Sequence, residues 1–184
     1  MAQPDHIDGW WFSDARVLPH GDDRPIKLGL THHVDGDIVP CKHGLHLSVN
    51  ARDALQYATG KIIWRVRGHG TIVVDRDKVA CSDRTYLRGG IDVSDILRRF
   101  ARMCALDVIH LWDAPDIVRK FLRTGDAWDY AARDAAGTAD EAARAAVDAY
   151  ATWDYAAGVA AGARQNKRLH RMLMDAIRKN ERKG

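Results

Sequence analysis

The sequence predicts an α+β fold: a β-rich domain over residues 1–90 with one short helix, then an all-helical region of roughly four to five helices over residues 91–184. Three observations carry this. Apolar residues alternate with period two only in the first half, as in Gly44–Ser48, where Leu45 and Leu47 share one face and His46 and Ser48 the other. From Ile91 onward the apolar spacing becomes three and four, the period of a helix. Strands come first and helices after, which argues against a βαβ repeat.

Trp10-Trp11-Phe12 opens the ordered part as a strand, and the turn-rich Pro19–Pro25 follows. Ile26–His33 reads as a second strand, with Ile26, Leu28 and Leu30 alternating, and Asp35-Gly36 turns the chain toward Ile38-Val39. The centre of this half is Pro40–Gly68, read as strand, helix, strand. Asn50 suits an N-cap for Ala51–Ala58, Gly60 ends that helix, and the β-branched and aromatic Ile62–Val66 resumes the sheet. Gly68-His69-Gly70 reads as a break before Thr71–Val74, and Lys78–Leu87 as extended. His46 and Ser48, facing away from the leucines with Tyr57 close behind, would form the floor of a pocket. The bland alternative is a polar sheet face covered by a helix, with the Tyr57 hydroxyl satisfied there.

In the second half, Ser94 caps a helix whose stripe is Leu97, Phe100, Ala101, Cys104, Val108 and Leu111, ending near Trp112. Pro115–Arg123 is a second helix, started by proline and stopped at Thr124-Gly125. Residues 126–162 are alanine-rich and repeat: Trp128–Gly137 and Trp153–Gly162 agree at eight of ten positions, 25 residues apart. Gly137-Thr138 breaks this segment, with Thr138 and Glu141 as a capping box. The aromatic residues Trp128, Tyr130, Trp153 and Tyr155 read as packing between alanine faces, the alternative being base stacking. The last helix, Ala163–Lys179, carries Leu169, Met172, Leu173, Ala176 and Ile177 on one stripe and basic residues opposite.

Charge is uneven. The whole chain carries +3, but residues 163–184 hold eight Lys/Arg against Asp175 and Glu181, so the basic character lies in that tail. Arg164, Lys167, Arg168 and Arg171 are its candidates for contacting nucleic acid or a protein partner; a solvated helix face is the bland reading. Three dispersed cysteines and no apolar leader in MAQPDHIDG point to free thiols in a reducing, cytoplasmic setting. No apolar run is long enough to span a membrane, so no membrane partner is expected. Cys41, His43 and His46, with His32-His33 upstream, have only a weak zinc spacing, since Cys41 and His43 share a strand face that His46 does not. No metal is expected.

The segments HVDGDIVPCKHGLHLS, DALQYATG, WRVRGHGTIV and DKVACSDRTYL together resemble an uncharacterised family of phage, prophage and bacterial proteins. That family shows a Cys-x-x-Gly-Leu-His-Ala/Ser strand, an Asp-Ala-Leu-x-Tyr-Ala helix and an alanine- and tryptophan-rich tail ending in Gln-Asn-x-x-Leu. Cys41, Gly44, His46, Ser48, Asp53, Tyr57 and Gln165-Asn166 match it here. The resemblance runs over roughly residues 9–175 and implies no activity. A more distant likeness is to the middle of ADP-ribosyltransferase folds, in which a strand and a following helix provide two walls that clamp nicotinamide. It would place His46 at the first wall, Tyr57 at the second and Trp11 near the strand that grips the ribose, and NAD is the cofactor it implies. Such transferases rely on a late glutamate. Glu141 and Glu181, the only glutamates of this chain, fall in expected helices, so Asp83 or Asp92 would have to serve instead. Two functions are therefore carried forward. One is an accessory protein with a nicotinamide- or ADP-ribose-like site at Trp11, His46, Ser48 and Tyr57, whether or not it catalyses transfer. The other is a non-catalytic interaction protein that self-associates or binds a partner or nucleic acid through its helices.

Overall fold

A computed structural model describes residues 5–19, 22–111, 113–126 and 155–183. Among these are five strands in one antiparallel sheet: β1 His6–Ser13, β2 Thr31–His33, β3 Leu45–Leu47, β4 Ile62–Asp75 and β5 Lys78–Asp92. The described helices are α1 Ala51–Gln56, α2 Ser94–Asp107, α3 Asp116–Thr124 and α4 Tyr155–Glu181, with a 3-10 turn at Ile109–Leu111. The fold is α+β. The chain divides into two compact units, Met1–Val93 with Leu169–Gly184, and Ser94–Arg168. This division differs from a boundary at residue 90 in assigning the end of α4 to the sheet.

The sheet is built on the long β4–β5 hairpin, turning at Arg76-Asp77. β1 pairs along the outer edge of β4, from His6 against His69 to Ser13 against Ile62. The other edge of β5 takes two short strands, β3 against Val79–Cys81 and β2 against Asp83–Thr85. β3 then returns to β1: Trp10 N–H donates to Ser48 O at 2.8 Å and Ser48 N–H to Trp10 O at 3.0 Å. The ring β1–β4–β5–β3 is thereby closed.

Closing so small a ring needs side chains that leave room. Leu47 lies where β1 and β4 carry glycine; a Cβ at Gly9 would sit 2.4 Å from Leu47 Cδ1, and one at Gly68 2.6 Å from Leu47 Cδ2. Leu45 and Leu47 join Trp64, Val66, Cys81 and Tyr86 in the buried core, as their alternation predicts. Burial pushes the Cys81 thiol up to about 11. Trp10 and Trp11 point to opposite faces. Trp11 meets Tyr86 inside, while Trp10 lies edge-on to His170 of α4, with ring centroids 5.3 Å apart. Leu169, Leu173 and Ile177 of α4 are 0, 0 and 1% exposed, and Glu181 pairs with Arg88 of β5.

Three sequence expectations are corrected. The stretch from Ile26 is not a continuous strand, because a turn closed by Leu30 N–H to Lys27 O at 3.1 Å interrupts it, and only Thr31–His33 pairs as β2. Gly68-His69-Gly70 does not end a strand: β4 runs through it, and the register with β5 shifts between His69 and Ile72, a bulge. α2 stops at Asp107, and Ile109–Leu111 continues as the 3-10 turn. In the other unit, α3 ends as expected, at Gly125 in the left-handed conformation, φ 79°. Val118 and Leu122 of α3 pack there on Ala105 of α2. The Trp128–Gly137 repeat, Thr138 and Glu141 lie outside the described residues.

Candidate functional site

The inward-facing side chains of β5 change phase opposite the bulge. Val79 and Cys81 are core residues on one side of Ser82-Asp83, and Arg84 and Tyr86 on the other; the extra residue of the bulge lies in β4, between His69 and Ile72. An arginine is thus delivered to the interior beside Trp11. Its neighbour across the sheet is His32, directly opposite in the β2–β5 register.

A cleft of about 550 Å³ is lined by this interior corner and by residues leading out to the surface. Trp11 comes from β1, His46 and Ser48 from β3 and its end, Tyr57 from the end of α1, and Lys78 and Arg84 from β5. All four residues that the sequence singles out as ligand contacts therefore line one cleft. Ser48 is the least accessible of them, at 2%, and its backbone holds β3 to β1. Tyr57 is half exposed, and its hydroxyl donates to Asp77 at 2.9 Å, which holds the phenol proton on.

Arg84 is 2% exposed and has no carboxylate partner among the described residues. Its guanidinium lies over the Trp11 ring, 3.8 Å from the centroid. Nη1 donates to His46 O at 2.7 Å and Nη2 to the Tyr86 hydroxyl at 2.9 Å, while Nε is buried without a partner among the described residues. Tyr86 is in turn 2.9 Å from His32 Nδ1. Burial, with Arg24 and Arg84 nearby, holds His32 below the usual histidine range, so the neutral ring accepts the tyrosine proton. Burial lowers the Arg84 pKa too, but a guanidinium has so high an intrinsic value that it stays charged. Isolating such a charge costs several kcal/mol unless something compensates it.

Nearer the mouth, His46 Nε2 accepts from Cys41 N–H at 3.2 Å, so any single proton sits on Nδ1. Burial first, then Arg84 and Lys78, depress the His46 pKa. Lys78 donates to Cys41 Sγ at 2.6 Å and lies over the Tyr57 ring, 4.8 Å from its centroid. Lys42, Lys78 and Arg84 line the cleft against one carboxylate, Asp22, and both Asp22 oxygens are taken by Arg24 at 2.6 and 2.8 Å. The lining is electropositive.

The carboxylates considered as substitutes for a late glutamate lie elsewhere. Asp83 faces the other side of the sheet, where it accepts from Ser82 Oγ at 2.6 Å and holds His33 at 2.8 Å; Asp92 is exposed at the end of β5. Neither lines the cleft. His43 bonds Asp35 O at 2.6 Å, His46 takes the Cys41 N–H, and no group of three metal-type side chains occurs among the described residues. On α4, Arg164, Lys167 and Arg171 are exposed, whereas Arg168 is committed to Asp107 at 2.6 and 3.1 Å. No helix among the described residues is long and apolar enough to cross a membrane. The comparisons with family models, curated proteins and solved structures give no match to this chain.

Arg84, Lys78 and Trp11's edge-on neighbour Tyr86 are what the sequence did not point to. The available signal was the spacing Arg84-x-Tyr86 after Cys81-Ser82-Asp83, which becomes informative only with the change of phase at Ser82-Asp83.

Proposed function

We propose that this protein binds a small ligand carrying a flat ring, of the nicotinamide or ADP-ribose class, in the cleft lined by Trp11, His46, Ser48 and Tyr57. The observation that carries this reading is the cleft itself: residues from four separate elements, three of them with ring side chains, line one concave, electropositive space. The ring class follows from the resemblance of the strand around His46 and the helix before Tyr57 to the nicotinamide walls of ADP-ribosyltransferases. The role proposed is binding. The cleft's one carboxylate, Asp22, is neutralised by Arg24 and is poorly placed to act as a base or to steady a cationic transition state.

Aromatic and imidazole walls each hold a flat ring by roughly 1–2 kcal/mol, so removing one weakens binding about tenfold. Calorimetric titration of NAD, nicotinamide and ADP-ribose into wild type, His46→Ala and Tyr57→Ala tests the reading. The expected result is binding by wild type of at least one of these, weakened in both variants while their melting temperatures stay close to wild type. Absence of binding to wild type, with both variants melting several degrees lower, would make these residues structural.

A further inference from the structure

We propose that the interior end of this cleft is an oxyanion subsite, in which Arg84 receives a phosphate or carboxylate group of the ligand; the proposal rests on the cleft being a ligand site. Arg84 lines the cleft yet is 2% exposed, so its charge is in place before any ligand arrives. Two of its three nitrogens are held by neutral acceptors, His46 O and the Tyr86 hydroxyl, and Nε N–H has none. A buried donor left unpaired is destabilising. Arg65 Nη1 and Arg102 Nε share that state among the described residues, and Arg84 is the one of the three that lines the cleft.

The surroundings fit an anion. Trp11 stacks on one face of the guanidinium, and Tyr86, steadied by His32 at 2.9 Å, fixes its far end, so the fork is preorganised. The other Lys, Arg, Asp and Glu residues lining the cleft are Lys78, Lys42 and Asp22, and Asp22 is already bonded through both oxygens to Arg24. Asp83, adjacent in sequence, is turned to the opposite face and held by Ser82 and His33. Among the described residues no carboxylate other than Asp22 lines the cleft. The chemistry selected is a ring attached to an acidic group, with the ring between His46 and Tyr57 and the oxyanion at Arg84.

The test uses the full chain in low-chloride buffer, with four probes: nicotinamide, nicotinic acid, nicotinamide mononucleotide and inorganic phosphate. Binding is read by calorimetry on wild type, Arg84→Met and Arg84→Lys. The expected result is that the mononucleotide binds wild type at least tenfold more tightly than nicotinamide, and that phosphate competes with it. In Arg84→Met that tenfold advantage is lost, and Arg84→Lys recovers part of it. Should nicotinic acid show the advantage in place of the mononucleotide, the oxyanion is a carboxylate and the subsite stands. If phosphate alone binds, and does so through Arg84, the subsite stands and the ring reading falls. If neutral nicotinamide binds as tightly as both acids, the ring reading stands and the subsite is overturned. Binding of the anions that is unchanged in both variants overturns it equally, as does a wild type that binds no anion, a result that needs no folded variant.

Discussion

Leu173→Ala probes the attachment of the last helix to the sheet. Leu173 is fully buried, between Leu169 and Ile177 on the same stripe, which are 0 and 1% exposed. Truncating a leucine at such a site removes its transfer free energy and leaves a cavity, costing about 2–5 kcal/mol. At about 2–4 °C per kcal/mol for a chain of this size, a central cost near 3 kcal/mol lowers the melting temperature by roughly 6–12 °C. Differential scanning calorimetry measures this directly, with Met174→Ala as a half-buried control on the same turn. A melting temperature unchanged within about 1 °C would refute the packing argument, because an unburied leucine carries no such cost.

Gly9→Ala brings a Cβ to 2.4 Å from Leu47 Cδ1 and 2.6 Å from Ser48 O, so β3 must move off β1; a loss of about 1–3 kcal/mol in urea denaturation is expected, and none would show that the ring of strands is not closed there. Acidification is a second lever. His32 and His46 have pKa values held below the ordinary 6.5, chiefly by burial, so the unfolded chain takes up protons before the fold does. Their contribution is present above about pH 6.5 and is lost as pH falls toward their depressed values. His33 works in the opposite sense, raised first by Asp83 and then by Asp35, but it is exposed and its weight is smaller. The melting temperature should therefore fall between about pH 7.5 and 5.5, and His46→Gln should flatten that fall; a rise on acidification would contradict the burial of these rings.

Local pattern revealed much of this molecule. Leu45 and Leu47 could be assigned inward and His46 outward because β3 has no irregularity, and the Leu169–Ile177 stripe was visible because α4 is regular there. Pattern failed where pairing overrides it. Ile26, Leu28 and Leu30 alternate like a strand, yet Ile26 is buried while Leu28 and Leu30 are exposed, since the turn at Lys27–Leu30 breaks the run. The site was half legible for the same reason. Trp11, His46, Ser48 and Tyr57 lie on or beside regular elements, whereas Arg84 faces inward past a change of phase in β5 at Ser82-Asp83, opposite the bulge of β4. Read with the period of Val79 and Cys81, Arg84 belongs on the outside, where an arginine attracts no notice.

The most direct test of the cleft as a ligand site is the ¹⁵N indole spectrum of the tryptophans during titration with NAD, with the Trp11 signal assigned by Trp11→Phe. Trp11 lines the cleft under the Arg84 guanidinium, whereas Trp64 is buried away from solvent, its Nε1 donating to Ser13 Oγ at 2.9 Å. The expected result is a saturable shift of the Trp11 resonance while that of Trp64 stays in place. A Trp11 signal that does not move at millimolar NAD would contradict the account.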